Sequence, residues 1–221
     1  MKAIQQHLSL ILLALVSAII STSCINDDNS NDITYSNLVT YTGNIGTNAY
    51  FEYQGENDAK PVTLYTNRIL SGISEGQRMV IMYSLENENQ YGKDGYIQLL
   101  TYSSVPTVTV RTATTSEAQA ANEPMYLYAI ARTGKYINID ANLPLIEGRT
   151  FSILADEATL HSEMPELYVT TKTPSGNTGL NESTLASFDI SSIWNMADIR
   201  GVKIHVNDIN PSGKKVYEFT K

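Results

Sequence analysis

The chain has 221 residues, 42% of them hydrophobic and 17% charged, a balance that supports a folded core and excludes disorder throughout. Its net charge of −8, with no cluster of Lys and Arg, excludes a nucleic-acid partner, whose phosphates demand concentrated positive charge. The single cysteine excludes an internal disulfide and a thiolate zinc site. The aromatic set of 14 Tyr, 4 Phe and 1 Trp, alongside many Thr, Ser and Asn, favours half-buried pleated sheet.

The chain opens with Lys2 as a positive start, an apolar run from Leu8 to Ile20, and the small residues Ser21-Thr22-Ser23 ahead of Cys24. The run is shorter than the roughly 20 residues a helix needs to span a bilayer, so residues 1–23 read as an export signal. Cleavage there makes Cys24 the first residue of the mature protein. Its thiol then takes a diacylglycerol thioether and its amine a further acyl chain. Each buried methylene contributes about 0.8 kcal/mol, so several chains together hold a protein on a membrane. An ordinary secreted protein cut near Ser23, with a stray thiol, is the competing reading.

Ser21-Thr22-Ser23-Cys24 resembles the lipobox of bacterial lipoproteins, with Ser21 where the motif prefers Leu, a relaxation common in Bacteroides-type bacteria. Residues 24–36 are polar and acidic at first and are expected to form a flexible tether. Acidic residues this close to the cysteine also resemble a surface-export signal. By that resemblance Asp27 and Asp28 would direct the protein to the outer leaflet of the outer membrane, whereas a solvated spacer without an address is the alternative.

The mature chain reads as strands separated by turns. Asn37 to Tyr41, Ala49 to Tyr53 and Val62 to Tyr65 are short candidates broken by Gly43, Gly46, Gly55 and Pro61. Met79 to Leu85 and Tyr96 to Tyr102 follow, and Asp94-Gly95 between them favours the positive backbone angles of a tight hairpin turn. Five short strands fit a small OB-like barrel over residues 37–105. A boundary is placed near Tyr102 to Pro106, and Thr112 to Asn122 is a loop or short helical turn.

Residues 106–221 offer Thr107 to Arg111, Met125 to Ala131, Tyr136 to Asp140, Arg149 to Leu154 and Leu167 to Thr171. Leu185 to Asp189, Gly201 to Asn207 and Lys215 to Phe219 complete the series, with turns at Gly134, Pro144, Gly148, Pro174-Ser175-Gly176-Asn177 and Pro211-Ser212-Gly213. In Gly201 to Asn207, Val202, Ile204 and Val206 face one way and Lys203 and His205 the other. Regular short strands between Gly and Pro turns predict an antiparallel β-sandwich, so the fold class is all-β. Asp189 to Asp198, around Trp194, is at most one or two helical turns.

The run Glu75 to Leu85 followed by Gly95 to Thr101 resembles the first domain of NigD-like lipoproteins. Tyr136 to Asp140, then Ser187 to Ser192 and the Gly201 to Asn207 strand, resemble the second. The resemblance spans nearly all of the mature chain. It implies an OB-like amino-terminal domain, a carboxy-terminal sandwich and a loose link to bacteriocin immunity, with no established catalytic residues to carry over. The family often has a His-containing segment after the strand matching Leu167-Tyr168-Val169; here Thr170-Thr171-Lys172-Thr173 stand instead, so any role of that His does not transfer.

Few residues suggest chemistry. His7 leaves with the signal, and His161 and His205 stand alone, which is how solvated strand residues look. Glu86 and Glu88, Asp156 and Glu157, and Glu163 and Glu166 could serve glycoside hydrolysis, but adjacent carboxylates in polar turns are ordinarily wet loops. Ser71-Gly72 and Ser175-Gly176 lack a nucleophile elbow, and Asn26 to Asp32 lacks the glycine and closing Glu of a calcium loop. No cofactor or metal is expected. Tyr126 and Tyr128, on one strand face, and Trp194 are candidate ligand-binding aromatics, because such side chains bring large area at low entropy cost. The reading is a non-enzymatic binding or accessory module, lipid-anchored at the outer membrane and surface-exposed, for a protein or glycan. A bacteriocin-immunity lipoprotein and a glycan hydrolase are the alternatives.

Overall fold

The computed structural model describes residues 33–120, 123–174 and 179–221. The signal segment, Cys24, Asp27, Asp28 and residues 175–177 of one expected turn lie outside the described residues. The chain divides into two compact units. One holds residues 33–54 and 60–105, and the other holds Pro106–Lys221 together with Gly55–Ala59.

The first unit is a six-stranded sheet built from β1 (Thr34–Ile45), β2 (Asn48–Tyr53), β3 (Val62–Thr66), β4 (Arg78–Ser84), β5 (Gly95–Tyr96) and β6 (Gln98–Ser104). Period-two alternation sets its faces. Val39, Tyr41, Phe51, Leu64, Met79, Ile81 and Tyr83 turn inward and are buried, and Ile97 joins them. Burying each large aliphatic side chain contributes about 1.5–3 kcal/mol, so this one face supplies most of the unit's cohesion.

The expected five-stranded barrel is met by six strands in the order β5-β3-β2-β1-β4-β6, and no ladder joins the end strands β5 and β6 among the described residues. The difference arises at Ile97. Its N–H donates to the Tyr65 carbonyl, so Gly95–Tyr96 run parallel to β3 while β6 pairs antiparallel with β4. The tight Asp94-Gly95 turn is absent for the same reason. Asp94 instead accepts the Thr63 N–H at 2.6 Å, and the positive φ of this wide connection belongs to Gly92, at 72°.

The second unit runs β7 (Thr107–Thr109), β8 (Arg111–Ala113), α1 (Thr115–Ala120), β9 (Tyr126–Thr133), β10 (Tyr136–Pro144), β11 (Thr150–Asp156), β12 (Glu166–Lys172), β13 (Asn181–Asp189), α2 (Ser191–Trp194), β14 (Gly201–Val206) and β15 (Val216–Thr220). Its two sheets have the orders β7-β13-β10-β9 and β15-β14-β12-β11-β8. Ile137, Ile139 and Phe188 from the first share one buried core with Ile153, Leu167, Val169, Val202 and Ile204 from the second. Phe151 and Phe188 meet edge to face across it, with ring centroids 6.3 Å apart.

The sandwich is mixed, not purely antiparallel: β7 with β13, β8 with β11 and β12 with β14 are parallel pairs. The expected strand Thr107 to Arg111 is two strands because the chain leaves one sheet and enters the other there. Val110 marks the crossing; it is buried and its N–H donates to the Asp189 carbonyl at 3.0 Å. In β14 the alternation read from sequence is present, with Val202, Ile204 and Val206 buried and Lys203 and His205 half-buried.

Candidate functional site

Tyr126, half-buried, and Tyr128, exposed, lie on β9, an edge of the four-stranded sheet of the second unit. Opposite β10, Ala129 pairs with Asp140 and Leu127 with Ala141, so Tyr128 is the extra residue of a β-bulge. Leu127 keeps its place in the core, while Tyr126 stands outside, opposite Asn142. The bulge brings the two tyrosine rings together at 5.6 Å and 67°, and Tyr128 is 43% exposed.

Polar groups complete this face. Asn142 lies opposite Ser183, and the Ser183 hydroxyl donates to Asp140 at 2.6 Å. Partial burial pushes the Asp140 carboxyl above its usual range, and the serine hydrogen bond offsets only part of that. Two flat aromatic surfaces beside an amide, a carboxyl and a hydroxyl form a surface that can stack on a sugar ring or a peptide and hydrogen-bond its edge.

Trp194 does not belong to this face, which corrects its place among the ligand-binding candidates. It sits in α2, 8% exposed and part of the core, because its N–H closes a helical turn on the Ile190 carbonyl at 2.8 Å. The Arg132 guanidinium lies over its ring at 4.2 Å and the Lys221 ammonium at 5.8 Å.

Arg132 itself was not singled out from the sequence. It occupies the core face of β9, opposite Ile137, and closes one end of the sandwich. Its guanidinium donates to both carboxylate oxygens of Asp58 and to the Gly134 carbonyl. Asn57, with φ of 58°, donates its N–H to the Arg132 carbonyl. The available signal was a charge in the inward register of an otherwise apolar strand.

Of the candidate carboxylates, Asp156, Glu163 and Glu166 are engaged in separate contacts, and Glu86, Glu88 and Glu157 are exposed. Glu86 and Glu88 are both exposed on the wide connection after β4. Asp156 is buried, caps the turn at Glu157–Thr159 through the Ala158 N–H and accepts the Thr115 hydroxyl at 2.7 Å, while Glu157 points outward. Glu163 is ion-paired with Arg200 at 2.6 Å on the surface.

Glu166 lies 3.1 Å from His205 and accepts the Tyr168 hydroxyl at 3.2 Å. His205, expected to be a lone solvated residue, stacks on Tyr168 with ring centroids 4.4 Å apart, because the β12–β14 register places the two directly opposite. His161 is exposed. Among the described residues no group of three His, Cys, Asp or Glu is arranged to hold a metal ion.

Solved structures share this fold. A protein of unknown function from Bacteroides vulgatus superposes with a TM-score of 0.66 at 16% identity, over 85% of this chain and 90% of that one. A NigD-like immunity protein from Bacteroides caccae gives 0.58 at 16% identity, over 83% and 90%. A candidate lipoprotein from Bacteroides fragilis gives 0.55 at 12% identity, over 85% and 96%. The chain therefore has the all-β fold of the NigD-like immunity protein, as the sequence resemblance implied. No family model matches the sequence, and no curated protein is similar to it.

Proposed function

We propose that this protein is a NigD-like lipoprotein held on the outer membrane through Cys24, with Asp27 and Asp28 as its export address, and that it is a non-catalytic binding module for a protein or glycan. The observation that carries the binding role is the Tyr126–Tyr128 pair, set outward by a bulge beside Asp140, Asn142 and Ser183. The anchor reading is supported by the signal and cysteine of the sequence and by the fold shared with a candidate lipoprotein. The engagement of Asp156, Glu163 and Glu166 in separate contacts favours binding over hydrolysis.

Two experiments test this. Mass spectrometry of the protein isolated from its envelope should find an acylated Cys24, and Cys24→Ser should move the protein to the detergent-free soluble fraction. A glycan array and an envelope pull-down should return a ligand whose binding falls about tenfold or more in Tyr126→Ala and Tyr128→Ala, the loss expected of aromatic hot spots. A bare thiol, or binding indifferent to both tyrosines, would remove the respective half of the reading. A second reading, immunity to a bacteriocin, is favoured by the name of the Bacteroides caccae structure. Unchanged bacteriocin sensitivity after gene deletion would remove it.

A further inference from the structure

The strand that carries Tyr126 and Tyr128 is an edge whose free side is largely taken. β9 pairs with β10 on one side only. On the other, Met125 donates its N–H to the Asn207 carbonyl at 3.0 Å and accepts the Ile209 N–H at 2.9 Å. Two positions on, side chains stand in for a strand. The Leu127 N–H donates to the Asp208 carboxylate at 3.1 Å, and the Leu127 carbonyl accepts the Asn210 amide at 2.9 Å. At the far end Asn57 donates its N–H to the Arg132 carbonyl and accepts the Gly134 N–H, both at 2.8 Å. Only residues 128–131 lie between these caps, and that run starts at the bulge. Recognition by strand addition needs consecutive backbone pairs, so the edge beside the tyrosines is too short for a peptide to join.

The side chains of this face are, by contrast, free to bond. Among the described residues nothing bonds the hydroxyls of Tyr126 and Tyr128 or the side-chain amide of Asn142, and only Ser183 donates to Asp140. Asp156, Asp189 and Asp208 in the same unit each hold two or more donors from their own chain. Asp140 therefore keeps acceptor capacity that they have lost. Its cross-strand neighbour on β9 is Ala129, which carries only a methyl and leaves that side of the carboxyl open. A protein surface pressed here must match each of these groups or leave it dry and unpaired. A pyranose carries hydroxyls around its rim and C–H groups on its faces, which matches free polar groups beside two rings held at 67°.

Charge narrows the class further. The outward positions of β9, β10 and β13 hold no Lys or Arg, since Arg132 occupies the core face. With Asp140 on this face and −8 on the chain, a uronate, sulfate or phosphate group would meet repulsion and no counter-charge.

We infer that the Tyr126–Tyr128 face is a subsite for a neutral glycan, one pyranose stacking on the tyrosine pair while Asp140 and Asn142 bond its hydroxyls. This rests on the binding role proposed above for the pair, and its test separates the two.

Full-length protein in detergent micelles is applied to an array of gluco-, galacto-, manno-, xylo- and fuco-configured oligosaccharides, each in neutral form and with uronate or sulfate groups. Neutral members are expected to bind, with a signal unchanged between roughly 50 and 500 mM salt because no ion pair is involved. Binding should fall about tenfold or more in Tyr126→Ala and Tyr128→Ala. Tyr128→Phe, which keeps the ring, should stay within about threefold, and Asn142→Ala should lose about threefold with its unfolding midpoint unchanged. Signal only from uronate- or sulfate-bearing members overturns the inference. A silent array, with an envelope protein captured through Tyr126 and Tyr128, also overturns it, and the binding role of the pair then stands. Glycan binding indifferent to both tyrosines, or no partner of either kind, overturns the inference and that role together.

Discussion

Arg132 and Asp58 are joined by two parallel hydrogen bonds of 2.8 Å across 74 positions of sequence, with the arginine side chain wholly buried and the aspartate side chain 60% exposed. The pair is lopsided. The guanidinium has given up its water, while the carboxylate that neutralises it has kept most of its own.

Removing the exposed partner therefore harms the buried one. Asp58→Ala leaves the guanidinium only the Gly134 carbonyl and the Trp194 ring. The expected destabilisation is about 2 kcal/mol, below that of a fully buried pair because solvent reaches the Asp58 side. Denaturant unfolding followed by Trp194 fluorescence measures it. An unchanged midpoint would mean that the guanidinium finds water unaided.

Acid should unfold the second unit partly through the same pair. The hydrogen bonds from Arg132 hold the Asp58 carboxyl below its usual range. Its contribution is thus complete above the unfolded value of about 3.9 and is lost as pH falls through the lower folded value. Asp58→Asn is expected to flatten the acid limb of a stability–pH curve. Asp140 has the opposite sign: burial raises its carboxyl, so protonation on acidification favours the folded state. Asp140→Asn should accordingly leave the acid limb no flatter.

In the first unit, Tyr83→Phe keeps the ring and removes the hydroxyl that satisfies the buried Asn37 carbonyl. A loss of about 1–2 kcal/mol is expected, the cost of one buried acceptor left unpaired. Tyr91→Phe, at the exposed end of the column in which Tyr35 stacks on both Tyr83 and Tyr91, should stay within about 0.5 kcal/mol of the native protein. Thermal unfolding of both variants distinguishes a column fixed at its core from one fixed at its tip.

Gly201 lies opposite Thr220 where β14 meets β15, and a methyl there would run into the Phe219 carbonyl and the Met164 sulfur. Gly201→Ala should cost about 1–3 kcal/mol by overpacking and should loosen β15 first, as hydrogen exchange would show. Gly95→Ala is expected to be neutral or slightly stabilising, since open space surrounds its Cβ position. A large loss there would mean that the tight turn exists after all.

Alternation made the strands legible. Val202, Ile204 and Val206 announced β14, and the mass of Tyr, Thr and Ile announced an all-β chain. Partnership was harder to see. That Gly95 and Tyr96 pair with β3 depends on Tyr65 some thirty positions earlier, and the parallel mates of β7 and β12 are equally remote. Asp94-Gly95 looked like a tight turn because local chemistry favours one, yet Thr63 claimed the carboxylate. At the site, Tyr126 and Tyr128 were visible as a pair, whereas the bulge that unites them and the burial of Trp194 under Arg132 are set by tertiary packing.

Sheet rims are where β proteins meet trouble, because unsatisfied donors and acceptors there invite a stranger's strand. The crossing run from Thr107 to Ala113 finishes one rim of each sheet of the sandwich, β7 on one and β8 on the other, with pieces of three residues apiece. So brief a rim offers an intruding chain almost no length to zip along. A single stretch of backbone thus guards two flanks of the sandwich against runaway association between crowded neighbours.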